Sequence, residues 1–192
     1  MGFLEAYGTF DADRAVTYLA SDANLSEIVD VYHMGLSVGS LEAFRLRVSF
    51  LEAHGYRQIL HGCEGTGTGT GNVTYLKCSF DFHAIRSDEL GLGPFSGSFF
   101  LLGVRDGKIV DVTPNLRPLW TWEQFLPQVW VPFAEWVAAT YPEDAEVMYT
   151  YPVYGPDWRE RLTEQSIQLW DQRSREYVEE VGRSSTGTET SP

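Results

Sequence analysis

The sequence predicts an α+β domain in which helices come first, a block of antiparallel strands follows, and helices return at the end. Three observations carry this prediction. Apolar residues at helical spacing open and close the chain, as in Ala15, Val16 and Leu19 and again in Trp158, Leu162, Leu169, Tyr177 and Val181. The middle of the chain alternates at period two. Strands and helices are grouped rather than interleaved, which argues against βαβ units.

Residues 3–10 and 12–20 read as two helical pieces, with Asp11 as the N-cap of the second. Residues 21–39 are ambiguous: Ile28, Val29, Val31 and Tyr32 suggest a short strand or irregular edge. Ser40 then caps a helix over about 41–54, with Leu41, Phe44, Val48 and Leu51 on one stripe and Gly55 as its C-terminal stop. Strands over 56–63 and 72–84 flank the flexible Gly-Thr run Gly65–Gly71. A loop over 85–95 contains Gly91-Leu92-Gly93-Pro94, and strands over 96–105 and 108–114 meet at the turn Asp106-Gly107. A helix over about 122–140 has capping-box spacing at Thr121 and Gln124, and Pro127 and Pro132 predict a kink or late start. Pro142 stops it. A last helix over about 157–181 opens with Asp157 and Glu160 in capping-box fashion. Residues 1–181 are thus expected to form one domain, and 182–192, rich in Ser, Thr and Gly, a disordered tail.

The chain has 192 residues, with 27 acidic against 14 basic side chains and a formal charge of -13. That surface repels phosphate backbones, and with no local basic stripe it excludes nucleic acid as an expected partner. No apolar run of about 20 residues is present, so no membrane span is expected. The first ten residues include Glu5 and lack a secretory pattern, which makes the cytoplasm the expected location. The two cysteines, Cys63 and Cys78, do not form a disulfide framework. Aromatics make up 14% of the chain, enough to fill a core or line a pocket for a flat ligand.

The run Ala6–Ala23, with Asp11-Ala12-Asp13 and Ser21-Asp22-Ala23, resembles the opening of proteins of the nuclear-transport-factor-2-like (NTF2-like), SnoaL-like superfamily. Arg105-Asp106-Gly107-Lys108-Ile109-Val110 looks like its late hairpin. The resemblance covers residues 3–114 and implies a cone: a curved antiparallel sheet wrapped by N-terminal helices, here with extra C-terminal helices. Segments 83–94 and 136–144 are similar to an uncharacterised actinobacterial subgroup. The superfamily includes isomerases, cyclases, dehydratases, epoxide hydrolases and non-catalytic binders, so the resemblance leaves function open. By position, the ketosteroid isomerase pattern would put its first-helix tyrosine near Phe3, its strand acid near Phe100 and its base near Glu27. Two phenylalanines cannot hydrogen-bond an oxyanion, so that chemistry is not expected. Epoxide-hydrolase chemistry would need an Asp-Arg-Asp convergence that a linear sequence does not display.

Asp81 and His83 form the strongest polar constellation. Two apart on a strand, they share a face with Tyr75, Lys77 and Ser79, opposite Leu76, Cys78, Phe80 and Phe82. A carboxylate beside an imidazole suits proton transfer; the plainer and preferred alternative is the solvated face of a sheet. Asp111, late in the last strand, and Asp30, with His33, in the ambiguous segment are second choices, each with a stronger reading as an ordinary surface polar residue. His61, Cys63, Asp81 and His83 are possible zinc ligand types. A register pairing Cys63 with Cys78 excludes that four-ligand site unless a bulge intervenes. Ordinary buried cysteines are preferred to either. Neither Gly-rich stretch precedes a helix, so both read as turns rather than phosphate loops.

Tyr18, Phe44, Phe80, Phe100, Trp130, Phe133 and Trp136 could close over one cavity, or simply fill the core. Two functions stand side by side. The first is a small-molecule site for an apolar or aromatic ligand, and if catalytic a cofactor-free isomerase, cyclase or dehydratase. The second is a non-catalytic homodimer that pairs through its sheet and uses the C-terminal helix for a partner. No cofactor or metal is expected in either.

Overall fold

A computed structural model of the chain describes residues 2–29, 41–115, 123–150 and 160–186. Asp30, His33, Ser40, Thr121, Asp157 and the segment 187–192 lie outside the described residues.

Five strands form one sheet: β1 (Leu19–Asn24), β2 (Arg57–Thr68), β3 (Thr74–His83), β4 (Phe95–Arg105) and β5 (Lys108–Asn115), in the order β1-β5-β4-β3-β2. The pairs β2/β3, β3/β4 and β4/β5 are antiparallel hairpin neighbours, as the sequence predicts. The expectation of a wholly antiparallel sheet needs correction at one edge. β1 runs parallel to β5, with Leu19 beside Ile109 and Asn24 beside Asp111. No short turn links these two strands, so nothing local imposes an antiparallel sense. Side-chain bonds fasten this edge: Asn24 Nδ2 donates to Asp111 Oδ1 at 3.0 Å, and Arg105 meets Asp22 at 2.7 Å.

Helices α1 (Gly2–Gly8), α2 (Ala12–Val16), α3 (Ser26–Val29) and α4 (Leu41–Ala53) lead into this sheet. Their rings meet the face of the sheet that carries Cys78, Phe80, Phe82, Phe100, Leu102 and Val112, all buried. The α+β cone is therefore present, with helices before and after the strands. Asp11 caps α2 as expected, accepting from the Arg14 amide at 3.0 Å. Leu19 and Ala20, expected to be helical, begin β1 instead, and the ambiguous Ser26–Val29 is a helical turn.

Gly55 does stop α4, with φ +70°. A Cβ there would lie 2.6 Å from Arg86 Cγ, so both conformation and space require glycine. The Gly-Thr run is more ordered than its composition suggests: β2 continues through Thr68, and only the tip around Thr70–Asn72 turns.

The expected kink at the two prolines is real. Residues 123–125 are helical, Leu126–Trp130 winds as a π turn, and Val131–Thr140 (α5) follows. Proline removes an amide from the ladder, and the wider turn absorbs the loss. Pro142 ends α5 but also opens α6 (Pro142–Met148), taking a first-turn position where its missing N–H is harmless.

The last helix, α7, spans Glu164–Thr186, so it starts later and ends later than expected, and residues 182–186 are helical rather than tail. The expected cap at Glu160 is also corrected. Thr163 and Ser166 cap α7 reciprocally, with amide-to-hydroxyl distances of 2.9 and 3.1 Å. Glu160 instead forms a backbone bridge with Tyr149.

The helices after the sheet gather a second cluster of rings, continuous with those of the cone through Phe125, which meets Phe82 at 5.3 Å and Trp130 at 6.2 Å. Trp170 is fully buried and touches Phe50, Trp130, Phe133 and Tyr149 at ring-centroid distances of 5.1–5.5 Å. Arg86 fastens this layer to the cone. It donates to Ser174 Oγ (3.1 Å), Asp171 Oδ1 (3.0 Å) and the Ala53 carbonyl (3.4 Å).

Candidate functional site

Asp81 and His83 do not form a pair. β2 bulges between Leu60 and Gly62, leaving His61 as the extra residue. On the outer face, His61 Nε2 comes within 2.9 Å of Asp81 Oδ2. His83 is buried under the 84–94 loop, where its Nδ1 lies 3.1 Å from the Leu92 carbonyl and 3.4 Å from Ser87 Oγ. A Cβ on Gly93 would sit 3.1 Å from that same nitrogen, so the loop closes tightly over the ring. The pair expected from alternation is thus divided: one member takes a partner on β2, the other a carbonyl of its own loop. Asp111 is engaged with Asn24 at the β1 edge.

The same bulge reconciles two alternatives that an even ladder makes exclusive. Cys63 faces Cys78 and the two sulfurs are bonded, correcting the expectation of ordinary buried thiols. His61 nevertheless reaches Asp81. With Cys63 consumed, the four-ligand set is not assembled, and no group of three or more metal-ligating side chains occurs among the described residues.

The expected aromatic set spreads across the length of the core. Phe44, Phe80 and Phe100 belong to the cone, where Phe80 stacks on Phe100 at 4.7 Å. Trp130, Phe133 and Trp136 belong to the second cluster, with Trp136 against Phe133, Tyr141 and Tyr177. Tyr18 sits beside the start of α1, over Gly2. All seven lie in, or packed against, one continuous hydrophobic core, the plainer of the two expectations. An open concavity of about 250 Å³ lies elsewhere, on the β2–β3 hairpin, lined by Thr66–Gly69, Tyr75 and Leu101.

Polar groups enter the cone at a place that alternation did not mark. Tyr7 on α1 lies edge-on to Phe100 at 5.7 Å and beside Phe44 at 6.1 Å. Tyr56 stacks on Phe82 at 6.0 Å. The Arg47 guanidinium, from α4, acts on the Tyr7 phenol through its charge. Burial pushes the Tyr7 phenol up to about 12 despite the lowering effect of Arg47, and burial holds Tyr56 well above the ordinary phenol range. Both are therefore hydrogen-bond donors at any physiological pH. Tyr56 Oη approaches Gln58 Oε1 at 3.4 Å. Gln58 Nε2 and Ser98 Oγ are buried with no hydrogen-bond partner among the described residues. The cluster reaches the surface at Arg47, whose side chain is 18% exposed and pairs with Glu160, 17% exposed.

These residues carried a signal that the single-stripe reading of α4 passes over. Besides Phe44, Val48 and Leu51, the helix has a second stripe at Ala43, Arg47, Phe50 and His54. Its spacing of four, three and four residues is helical, and it runs between the cone phenols, which Arg47 reaches, and the Trp170 rings, which Phe50 and His54 meet. Tyr7 likewise lies one turn beyond Phe3, whose ring it neighbours at 6.1 Å. Glu160 gave no such sign, because its partner is 113 residues away.

No protein-family model matches the sequence, and no curated protein matches it. Among solved structures, the chain is similar to a "putative polyketide cyclase" from Xanthomonas campestris pv. campestris, at 22% identity over 64% of this chain and 90% of that one, with a TM-score of 0.42. A protein so described from Silicibacter sp. TM1040 is 20% identical over 64% and 89%, with a TM-score of 0.41. An NTF2-like protein of unknown function from Cytophaga hutchinsonii is 16% identical over 62% and 88%, with a TM-score of 0.34. At such identities no activity passes to this chain. The narrower actinobacterial resemblance rests on residues 83–94 and 136–144 alone.

Proposed function

We propose that the chain binds a small, flat organic molecule in the cone, with Tyr7, Arg47, Tyr56 and Gln58 taking its polar end and Phe44, Phe80 and Phe100 its apolar body. One observation carries this reading: four hydrogen-bond-donating side chains converge among the rings of the cone, and one donor, Gln58 Nε2, is buried without a partner among the described residues. Polar groups in an aromatic core are expensive unless matched. A ligand oxygen would match them. The proposed site lies on the inner face, apart from Asp81 and Asp111 and from the loop-covered His83. Cofactor-free acid/base chemistry stays an extension of binding, since neither phenol is ready to act as a base at neutral pH.

The test is calorimetric titration with 2-naphthol, a neutral flat probe with one oxygen. Saturable one-to-one binding is expected, weakened roughly 3- to 10-fold by Tyr7→Phe and by Tyr56→Phe, the loss of one hydrogen bond each. Absence of saturable binding, or an affinity untouched by both substitutions, overturns the reading.

A second reading has its own observation. Ile59 is 38% exposed on the outer face of the sheet, the face that also carries half-buried Tyr75, Phe99 and Leu101 further along the strands. That face suits a homodimer, and light scattering of the wild type and Ile59→Glu would reveal it as a concentration-dependent dimer lost in the variant.

A further inference from the structure

We infer that the ligand of the cone is an organic carboxylate, and that Glu160 is the internal carboxylate it displaces from Arg47; this rests on the binding reading above. The side chains gathered around the site are donors almost throughout. Arg47 offers a guanidinium fork, Tyr7 and Tyr56 offer hydroxyls, and Gln58 offers an amide whose buried N–H atoms have no partner among the described residues. Such a set fits an anionic oxygen, because each donor strengthens when its acceptor carries charge. Among the described residues, Glu160 places its carboxylate on the Arg47 guanidinium.

Glu160 does not belong to the cone by chain connection. It lies just before α7, where the backbone is held to Tyr149 by a strand-like bridge and the Arg161 amide donates to the Met148 carbonyl at 2.8 Å. Its carboxylate reaches Arg47 from across the two layers and occupies the guanidinium at the point where the cluster meets solvent. A buried guanidinium without a counter-ion is strongly destabilising. Glu160 therefore neutralises Arg47 in the empty protein. A ligand carboxylate entering at this rim supplies the same charge and geometry, and its ring system continues inward over Tyr7 and Tyr56. In a chain of net charge -13, a buried cation is also the means by which an anion overcomes general repulsion. Competition by Glu160 lowers the apparent affinity by the fraction of molecules in which Arg47 is engaged.

The experiment compares 2-naphthoate with its neutral isostere 2-naphthamide by calorimetry, in wild type and Glu160→Gln, with 2-naphthol as the reference for the cone itself. The expected result is that naphthoate binds wild type at least about tenfold more tightly than naphthamide, and gains about another tenfold in Glu160→Gln while naphthamide does not. Naphthoate should also raise the melting temperature of Glu160→Gln more than that of wild type. If that variant does not fold, Glu160→Asp, which withdraws the carboxylate by one methylene, gives the same readout. Equal binding of naphthoate and naphthamide, or a naphthoate affinity unchanged by substitution at Glu160, overturns the carboxylate inference and leaves the cone reading standing. If 2-naphthol and both naphthalene derivatives fail to bind, the two fall together.

Discussion

The two ends of one continuous aromatic core, the cone and the cluster around Trp170, are built from similar residues for different purposes. The cluster around Trp170 is a closed packing of rings: Phe50, Trp130, Phe133 and Tyr149 surround a fully buried indole. Its charged groups stay at the margin, as with Arg173, which lies 3.6 Å over the Tyr141 ring and pairs with Asp144. The cone admits a guanidinium, two phenols and an amide among its rings. Among the described residues, unmatched donors occur in both places, Gln58 Nε2 in the cone and the Trp136 and Trp170 indole N–H groups around Trp170, so the contrast lies in the charged guanidinium that the cone brings up to its phenols.

The largest effect that would break this contrast is at Trp170. Trp170→Ala should cost about 3–5 kcal/mol in denaturant unfolding through cavity formation, yet leave the affinity for 2-naphthol unchanged in the folded fraction. A loss of affinity would mean that the two ends act as one. Next comes Arg86, which bonds α7, α4 and its own loop together. Arg86→Ala should lower stability by about 2 kcal/mol and speed amide exchange along α7 before that in β3 and β4. Uniform acceleration would show that the second layer does not detach by itself.

The buried His54 sharpens the comparison through pH. It is 3% exposed, its Nδ1 lies 2.6 Å from the Phe50 carbonyl, and its ring packs against Phe50 at 4.3 Å. Burial lowers its pKa from 6.5 to about 3, so the folded protein holds it neutral. Between those values the unfolded chain binds a proton that the folded chain refuses. Stability contributed by neutral His54 is therefore complete above pH 6.5 and declines below it, by up to ~1.4 kcal/mol per unit. His54→Phe should remove that part of the acid slope in thermal melts between pH 6.5 and 5. An unchanged slope would assign the decline to the carboxylates. The smallest effect belongs to the cone: Tyr7→Phe and Tyr56→Phe should each change stability by less than about 1.5 kcal/mol while weakening ligand binding.

Much of the fold could be read along the chain wherever the cause was local. Asp11 caps α2 because its carboxylate reaches the Arg14 amide three residues on. Gly55 ends α4 because it takes a left-handed conformation, and Asp106-Gly107 turns β4 into β5, both residues having positive φ. The candidate site was far less legible. Strict alternation put Asp81 with His83, but one extra residue at His61 gave Asp81 another partner, and a loop eleven residues long enclosed His83. Nothing in the composition around residues 60–62 announces that bulge beyond Gly62, whose φ is +146°.

By itself, then, the sequence determined the kinds of element, their order and most of their ends, because propensity, capping and turn chemistry act within a few residues. The tertiary structure alone decided the parallel sense of β1, the bond between Cys63 and Cys78, the joining of the aromatics into one core and the meeting of Arg47 with Glu160. Each depends on register or packing between segments far apart in the chain. A displacement of one residue there reverses which face a side chain occupies.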